Sequence, residues 1–344
     1  MDEVQIGIVG SGFMGKTHAE AFKNYTIGAR VVAITGGQRA PELAKEYGVD
    51  YEPTLESLLK RENVDAVVIA TPQNVHAQQA IAAAKAGKHI LLEKPMAVTI
   101  QECKAIRTAC EQAGVKLMLA FTQRYRRANI EAKKVIDAGK IGKIKMIRET
   151  MIGVNGLSIF PKWQRNSENL GTLLGYGVHS IDRIRWLSGS EVSWVAGHSI
   201  YPAGIEAEYS SMAVMGLENN ISASLLCDME CPSPGYPNSA FKAWVIGSEG
   251  ILDIDAYGEL KLGIDGKWER LFVQEPIDWV KEGKFSPVRM QSFGDQDQEF
   301  INAILQNRLP AISGLDGEKA VEVALAVYQS STTQSLIKLN DFAK

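Results

Sequence analysis

The sequence predicts an α/β fold in which an N-terminal domain with a parallel sheet is followed by an α+β domain. The sheet of this second domain is expected to be open-faced and mainly antiparallel. A short apolar strand, Val4–Val9, runs directly into a glycine-rich turn, Gly10–Gly15. Strand-like and helix-like segments then alternate to about residue 120, the pattern of a parallel sheet covered by helices. From Gln123 onward strand-like segments follow one another, so we place the domains at 1–122 and 123–344.

The glycine-rich turn has the sequence Gly-Ser-Gly-Phe-Met-Gly and lies between a strand and a predicted helix. This is the dinucleotide-binding pattern in its required context. Gly10 permits the tight turn, Gly12 lets the backbone approach a pyrophosphate, and Gly15 lets helix and strand pack closely. A pyrophosphate would then meet free N–H groups at the helix N-terminus. The pattern predicts a Rossmann domain in which the cofactor contacts Gly10, Gly12, Phe13, Met14 and Gly15.

Capping residues mark the helix boundaries of this domain. Pro41 stands in the first turn of one predicted helix and Gly48 just past its end, which is the usual asymmetry. Thr99 and Glu102 form a capping box at the start of another helix, which Gly114 closes. The other strands are predicted at Arg30–Thr35, Val64–Ala70, His89–Leu92 and Val115–Leu119, with a further helix at Val75–Ala86.

The choice between NAD and NADP depends on the end of the second strand. NAD-binding domains usually carry an Asp or Glu about 20 residues past the glycines, bonded to the ribose 2′-hydroxyl. The corresponding stretch here, Thr35–Arg39, contains no acid. A 2′-phosphate would not be repelled, and Arg39 could pair with it, although Arg39 could also be solvated or stack on adenine. The cofactor is therefore NAD or NADP, with a slight preference for NADP, and Gly36 and Arg39 are expected contacts.

The second domain is predicted to combine a run of strands with helices before and after it. The turn Glu218–Asn220 favours a hairpin between antiparallel neighbours. A sheet with helices on one face leaves its other face in need of a partner, so we expect a homodimer or homotetramer formed through the open face. The predicted strands are Lys143–Val154, Ser193–Tyr201, Glu208–Leu217, Ile221–Asp228, Ala240–Gly247 and Ile251–Asp255, and the closing helices are Asp295–Gln306 and Gly317–Lys338.

Composition argues against several classes of protein. The chain has 344 residues, of which 45% are apolar and 22% charged, with a net charge of −3. Nothing in this balance favours binding to nucleic acid or to an anionic membrane. The first residues lack the basic and apolar regions of a signal peptide, and no run reaches membrane-spanning length. Four cysteines argue against a disulfide framework, and Cys227 and Cys231 are not at zinc-ribbon spacing, so we expect a cytoplasmic protein without a metal site.

Two polar centres carry the chemistry that the sequence predicts. Lys94, in Glu-Lys-Pro, follows the strand His89–Leu92, and open α/β sheets bind ligands at the carboxyl ends of their strands. The second centre is a predicted helix from Thr172 to Trp186, where His179 shares a face with the acid three residues later. Two glycines in this helix each cost about 1 kcal/mol relative to alanine, which indicates close approach by a ligand or the other domain. An ion-paired lysine and a core histidine capped by a carboxylate are the alternative interpretations.

Four segments occur in order and together resemble the glucose–fructose oxidoreductase, inositol dehydrogenase and MocA (Gfo/Idh/MocA) family. They are Gly10–Gly15, Thr71–His76, Ala86–His89 leading to Glu93-Lys94-Pro95, and Gly177–Asp182. The resemblance covers nearly the whole chain. It implies a Rossmann domain plus an open-faced sheet domain, and NAD(P)-dependent oxidation or reduction of a sugar, glycoside or cyclitol. Further cofactor contacts are expected at Thr71, Pro72, Asn74, His76, Glu93, Lys94 and Gln123.

The resemblance also implies that a lysine and a histidine form the polar centre of the site, and these roles map onto Lys94 and His179. A histidine has an unperturbed pKa near 6.5 and suits proton transfer at neutral pH. Burial would lower the pKa of Lys94, which we expect to orient the substrate hydroxyl and stabilise its oxygen. Asp182 could hold the His179 tautomer or be a structural cap. Candidates for the substrate wall, or for ordinary core, are Tyr125, Trp163, Arg165 and Tyr176.

The sequence departs from the family pattern in three places. The acid that commonly precedes the histidine by four residues is here Gly175, which leaves room for a larger or differently oriented substrate. The usual glycine run before the helix is reduced to Gly171. Gln123-Arg124-Tyr125 stands where the family often has Asn-Arg-Arg/Phe, so the amide is kept on a longer arm.

Two other functions stay open at this point. A tightly bound NAD could oxidise the substrate transiently, so that the net reaction is glycoside cleavage or epimerisation. A dinucleotide-binding regulator without catalysis is conceivable because of Gly175, but the presence of Lys94 and His179 argues against it.

Overall fold

The computed structural model describes residues 3–156, 167–169, 171–235, 241–278 and 281–342. The chain divides into two compact units, 1–122 with 277–318 and 123–276 with 319–344. The sequence analysis assigned 277–318 to the second domain, whereas in the structure this segment belongs to the first unit. Trp163 and Arg165, two expected substrate contacts, lie outside the described residues.

The first unit is built on a six-stranded parallel sheet with strand order β3-β2-β1-β4-β5-β6. This is the order of a Rossmann domain, and the prediction of that fold is confirmed. Strands β1 and β4 are almost completely buried and apolar, as expected for a sheet with both faces covered by helices. The strands are β1 Val4–Val9, β2 Ala29–Thr35, β3 Asp50–Glu52, β4 Ala66–Ile69, β5 His89–Leu92 and β6 Leu117–Leu119.

The second unit is built on a nine-stranded sheet with strand order β14-β13-β12-β11-β7-β10-β9-β8-β15. Strands β7 and β10 are parallel, and the other neighbouring pairs in the described ranges are antiparallel. The prediction of a mainly antiparallel sheet is therefore confirmed. The strands are β7 Ile144–Val154, β8 Val192–Ile200, β9 Ser210–Leu217, β10 Ser222–Cys231, β11 Phe241–Gly247, β12 Ile251–Asp255, β13 Glu259–Ile264, β14 Lys267–Val273 and β15 Ile337–Lys338.

The helices begin and end largely where capping residues predict. Thr99 and Glu102 form the predicted capping box, and Gly48 and Gly114 end their helices in the left-handed region. None of the helices in the described ranges combines the length and hydropathy that a bilayer span needs. The helices are α1 Phe13–Asn24, α2 Ala40–Tyr47, α3 Leu55–Leu59, α4 His76–Lys85, α5 Ile100–Ala113, α6 Arg127–Asp137, α7 Val178–Ser188, α8 Pro287–Leu305, α9 Gly314–Thr333 and α10 Leu339–Phe342.

Helix α8 returns to the first unit late in the chain and packs against α1. Gly294 makes the approach possible, because a Cβ at this position would overlap the side chain of Tyr25. Met290 and Phe293 of α8 form a buried apolar cluster with Ala21 of α1. The helices that pack together in the first unit therefore include one that lies more than 250 residues after α1 in the sequence.

A buried ion pair fixes α7 on the covered face of the second sheet. Arg183 of α7 donates hydrogen bonds to both carboxylate oxygens of Glu149 in β7, at 2.6 and 2.5 Å. It also donates to the side-chain oxygen of Asn129 in α6 at 3.2 Å. Both charged side chains are fully buried, so neither could lose its partner without leaving a buried charge. The pair thus sets the position of the helix that carries His179.

The opposite face of the second sheet exposes apolar side chains. Along β9 the exposed residues Met212 and Val214 alternate with the buried Ala213 and Met215, as the two-residue period of a strand requires. Met146 of β7 is also half exposed and lies on the same face by register. This set, Met146, Met212 and Val214, is called the open-face patch below.

Candidate active site

Close backbone packing determines the shape of the glycine-rich turn. Gly10 has φ of 113°, which favours glycine, and a Cβ there would overlap the carbonyl oxygen of Ala70. A Cβ on Gly15 would overlap the carbonyl oxygen of Gly10. Strands β1 and β4 and helix α1 therefore approach too closely for side chains at these two positions, and α1 begins at the carboxyl end of the central strands.

Gly12 lacks a side chain for a different reason. A Cβ built on Gly12 meets only the Nη2 atom of Arg39, at 4.0 Å, among the described residues. Its φ of −76° and ψ of −169° are open to any residue. Helix α1 begins immediately afterwards, with no side-chain cap and no acidic residue in its first turn. The space above Gly12 and the open helix N-terminus fit the pyrophosphate of a dinucleotide.

The end of β2 packs against this turn. A Cβ on Gly36 would lie 3.2 Å from the backbone nitrogen of Gly10, and a Cβ on Gly37 would lie 2.7 Å from Oγ of Ser11. Both glycines have φ of 81°. This packing brings the guanidinium group of Arg39 next to Gly12, in the region where the adenosine ribose binds in Rossmann domains.

Two cations that the sequence analysis missed lie over Phe13, the first residue of α1. The Nζ atom of Lys284 is 4.9 Å from the ring centre of Phe13 and the guanidinium of Arg289 is 5.1 Å from it. Both come from 277–318, so no local pattern connects them with the turn. The side chain of Met14 packs against the apolar cluster of α1 and α8, and its contact with the cofactor stays a prediction.

His76 contacts the backbone on either side of the strand ends. Its Nδ1 atom lies 2.9 Å from the carbonyl oxygen of Pro95, and its Nε2 atom lies 2.9 Å from that of Thr71. We expected cofactor contacts at Thr71, Pro72, Asn74 and His76, and these stay predictions. In the structure the ring of His76 connects the backbone of Thr71 to that of Pro95. Burial lowers the pKa of His76, and the hydrogen bonds to the two carbonyl oxygens oppose this shift.

Lys94 lies directly after β5 and is half-buried. Its backbone N–H donates a hydrogen bond to Oε2 of Glu93 at 3.0 Å, and the side chain of Glu93 is buried. Burial lowers the pKa of Lys94, and the charge of Glu93 opposes this shift. Because β5 ends at Leu92, Lys94 lies at the carboxyl edge of the parallel sheet, as the sequence predicted.

The chain preceding His179 departs from the predicted regular helix. Residues Leu173–Gly177 form a π-helical turn, and α7 starts only at Val178. A Cβ on Gly177 would lie 2.8 Å from Cδ1 of Leu173 and 3.2 Å from Sγ of Cys227 in β10. A Cβ on Gly175 would meet no described atom within 4 Å. Gly177 is therefore required by packing inside the unit, whereas at Gly175 no part of the chain that the structure describes would obstruct a side chain; π-helical turns of this kind are frequent at functional sites.

His179 follows this turn, and its side chain is only 9% exposed. Its ring is edge-on to Phe241 of β11, with ring centres 6.2 Å apart and planes at 86°. Tyr176, a candidate for the substrate wall, lies half-buried within the π-helical turn. The histidine is thus held by the helix on one side and by an aromatic ring of the sheet on the other.

Asp182 forms a bidentate ion pair with Arg124 across the second unit. Nε and Nη2 of Arg124 donate to the two carboxylate oxygens of Asp182 at 2.8 and 2.6 Å. The carboxylate is fully buried. The spacing of three residues suggested that Asp182 could hydrogen-bond to His179. No sequence pattern pointed to Arg124 as its partner. This ion pair fixes the short helix Thr122–Tyr125, which also carries Tyr125, half-buried.

Gln123, expected at the cofactor, is buried in the second unit. Asn129 donates a hydrogen bond from Nδ2 to the carbonyl oxygen of Gln123 at 2.7 Å, and the same nitrogen lies 3.4 Å from its side-chain oxygen. The amide therefore has a contact within its own unit. In the described parts of the chain, no group of three His, Cys, Asp or Glu side chains is arranged to hold a metal ion.

Two family models match the chain. A family model described as "Oxidoreductase family, NAD-binding Rossmann fold" matches residues 4–121. The model of the GFO/IDH/MocA C-terminal domain matches residues 130–253. The chain belongs to the Gfo/Idh/MocA family. The protein is an oxidoreductase with an NAD-binding Rossmann domain. The sequence predicted an oxidoreductase that uses NAD or NADP, and its slight preference for NADP stays a prediction.

Relatives match over almost the full length of the chain. The chain is 26% identical to the 2,7-anhydro-N-acetylneuraminate hydratase of Mediterraneibacter gnavus, over 99% of this chain and 98% of the relative. It is 25% identical to the scyllo-inositol 2-dehydrogenase (NAD(+)) of Bacillus subtilis, over 95% and 94%. The crystal structure of scyllo-inositol dehydrogenase from Lactobacillus casei, with bound NAD(H) and scyllo-inositol, has a TM-score of 0.83 and 27% identity, covering 98% of this chain and 100% of that one.

We expect Gly12→Val to abolish dinucleotide binding while the chain still folds. The β-branched side chain would fill the space above Gly12, and the backbone angles at this position are open to valine. Titration of NADH and NADPH fluorescence measures binding, and circular dichroism with thermal unfolding measures folding. Gly15→Val is the contrasting variant, because its side chain would overlap the Gly10 carbonyl and should prevent folding. Unchanged titration with Gly12→Val would refute the placement of the cofactor on this turn.

Proposed function

We propose that the protein transfers a hydride between nicotinamide and a hydroxyl or keto carbon of a sugar, glycoside or cyclitol. The observation that carries this proposal is the combination, within one unit, of an open dinucleotide turn at Gly12 with Lys94 at the carboxyl end of β5. The names of the full-length relatives support the substrate class, since one is a scyllo-inositol 2-dehydrogenase. The Lactobacillus casei relative contains NAD(H) and scyllo-inositol together.

In this proposal the chain's own residues bind the cofactor, orient the substrate and move its proton. When bound, the nicotinamide supplies the hydride acceptor or donor. The N–H groups at the start of α1 and the space above Gly12 would hold the pyrophosphate. Lys94, whose pKa is lowered by burial, would orient the substrate hydroxyl and stabilise negative charge on its oxygen. His179 would accept the hydroxyl proton during oxidation and return it during reduction.

Assay of the purified protein against a panel of inositols, hexoses, sugar acids and aryl glycosides tests the proposal. Each compound is incubated with NAD⁺ or NADP⁺, the absorbance of the reduced nicotinamide is followed, and product masses are measured. Reduced nicotinamide with a product two hydrogens lighter supports the proposed dehydrogenase. A protein that binds dinucleotide but converts no member of the panel would instead support the regulator without catalysis.

We expect Lys94→Ala and His179→Ala each to lower kcat/KM by about 100-fold or more, the usual scale for a positioned proton-transfer group. The two losses should not add in the double variant if both residues serve one proton transfer. Dinucleotide affinity, measured by fluorescence, should stay within about threefold of the wild type, because only kcat/KM depends on the proton-transfer step. His198→Ala is the matched control, since His198 lies exposed on β8. Near wild-type turnover of Lys94→Ala would make Lys94 a structural lysine.

We further propose that the protein accepts NADP, with Arg39 pairing with the 2′-phosphate. The guanidinium group lies next to Gly12, and no acid at the end of β2 would repel a phosphate. Arg39→Ala should then raise the KM for NADP⁺ by about tenfold, the scale of one charge-assisted contact, and change the KM for NAD⁺ little. Gln38→Ala is the control at the neighbouring position. Equal changes for both cofactors would show that Arg39 does not discriminate between them.

A second candidate function is cleavage or hydration through transient oxidation. Two observations favour it: the open space at Gly175 where the family pattern has an acid, and a full-length relative named as a 2,7-anhydro-N-acetylneuraminate hydratase. In that case NAD is regenerated in each cycle, so the substrate is consumed without net accumulation of NADH. The product masses of the same panel separate the two functions.

We propose that the protein assembles as a homodimer or homotetramer through the open face of the second sheet. The open-face patch supports this, because its side chains are 52 to 62% exposed although they are large and apolar, and exposed apolar patches commonly mark interfaces. A second copy of the chain would cover them and exclude water.

Met212→Lys combined with Val214→Lys should convert the oligomer to a monomer, because two charges would be buried without partners. Size-exclusion chromatography with light scattering measures the mass, and circular dichroism checks that the sheet is retained. Ile27→Lys is the control, since Ile27 is 80% exposed in the first unit. A monomeric wild-type protein would overturn the proposed assembly.

A further inference from the structure

A buried histidine that the proposed reaction does not use links three elements of the first unit. His18 of α1 is completely buried. Its Nδ1 atom lies 2.9 and 3.1 Å from the two carboxylate oxygens of Asp297 in α8. Its Nε2 atom lies 3.2 Å from Oε1 of Glu93, which directly follows β5. The side chain of Asp297 is also fully buried, and that of Glu93 nearly so.

With both carboxyl groups ionised, this arrangement requires a charged imidazolium; burial raises the pKa of Asp297, and the charge and hydrogen bond of His18 oppose that shift. A neutral histidine has one N–H and could donate to only one of the two carboxylates, whereas the imidazolium donates from both nitrogens. Burial alone would lower the pKa of His18, but the charges and hydrogen bonds of Asp297 and Glu93 raise it to about 10. The positive charge is therefore present throughout the physiological range of pH.

Glu93 connects this histidine to Lys94. One oxygen of Glu93 faces His18, and the other accepts the hydrogen bond from the backbone N–H of Lys94 at 3.0 Å. The charge of Glu93 also supports the protonated form of Lys94 against the effect of burial. Two acids, Asp297 and Glu93, are thus balanced by two bases, His18 and Lys94. The remaining titratable group beside Glu93 is His76 of α4, whose ring the charge of Glu93 also affects.

We propose that His18 and Asp297 are positioning residues for Lys94: they fix the Glu93 carboxylate and balance its charge, so that Lys94 keeps its place and its proton affinity. This inference rests on the proposed role of Lys94 in the reaction. It extends the active site to Asp297 on α8, 203 residues after Lys94 in the sequence.

The direction of the effect follows from the charges. Asp297→Asn removes the acid that contributes most to holding the proton on His18, so the pKa of His18 falls and its charge is lost at a lower pH than in the wild type. While Glu93 is ionised, it then acts on Lys94 without an opposing positive charge and raises the pKa of Lys94; loss of the His18 charge also raises the pKa of Glu93 itself. His18→Gln removes the same charge directly. Both variants should therefore move the limb of the pH–rate profile that belongs to Lys94 towards higher pH.

Kinetics of the full-length protein on a substrate found in the panel test the proposal. Asp297→Asn and His18→Gln should lower kcat by about tenfold or more and shift the profile, with KM for the cofactor changed far less. Glu299→Gln is the matched control: it is an acid-to-amide change on the same helix, and it removes an ion pair with Arg308. A purely structural role would lower the stability of all three variants but leave their pH–rate profiles unchanged, and that result would overturn the proposal.

A double-variant cycle separates this proposal from the one it rests on. If Asp297 acts through Lys94, adding Asp297→Asn to Lys94→Ala should cause no further loss of kcat. Wild-type activity of Lys94→Ala alone would contradict the proposed function. A low activity of Lys94→Ala together with wild-type behaviour of Asp297→Asn would overturn only the positioning role.

The charge of His18 can be observed without activity and without a variant that has to fold. The chain has five histidines, so their ¹⁵N signals can be resolved in protein labelled at histidine and followed from about pH 6 to pH 9, a range that lies on both sides of the ordinary histidine pKa. One buried histidine should remain doubly protonated throughout, and its signal should be absent from His18→Gln. Histidine signals that all become neutral below about pH 8 would overturn the proposal, since an ordinary histidine titrates near 6.5.

Discussion

The approach of α1 to the sheet is the constraint on which the first unit depends. Because Gly15 and Gly10 lack side chains, the helix backbone can lie directly against the ends of β1 and β4. That contact points the helix N-terminus at the carboxyl edge of the sheet, where an anion is favoured. It also places His18, one turn after Gly15, on the buried side of the helix, within reach of Glu93. The same packing therefore builds the cofactor turn and the charge cluster behind Lys94.

Much of the fold could be predicted because its information is local. Between residues 4 and 122, the predicted strands and caps agree with the structure within about two residues, because apolar runs and capping residues mark them directly. Helix α8 was predicted to begin at Asp295, whereas it begins at Pro287. Strand β3, with three residues, is too short for a pattern. The hairpin of β13 and β14 was missed although Asp265-Gly266 is a strong turn sequence, and both residues have positive φ. The place of 277–318 in the first unit could not be predicted, because it depends on contacts between distant segments.

The same difference between local patterns and contacts of distant segments applies to the candidate site. The position of Lys94 followed from strand periodicity and from the rule that ligands bind at the carboxyl edge. The partners of the charged groups did not, since Asp297 is 279 residues from His18 and Asp182 is 58 residues from Arg124. Buried charges need partners wherever the chain supplies them, and helix spacing suggested only the near neighbour of Asp182. The sequence therefore placed Lys94 at this edge of the sheet but did not show the distant partners of the buried charged residues.

The two glycines before His179 differ in what the fold requires of them. Gly177 is fixed by Leu173 and Cys227, so a side chain there would push the helix away from the sheet. Gly175 lies in the same turn, yet no described atom would obstruct a side chain there. The residue that the family pattern gives as an acid can thus be replaced without cost to the core of the second unit. Arg183 and Glu149 hold α7 independently of this turn, so we expect that a side chain at position 175 would leave His179 in place.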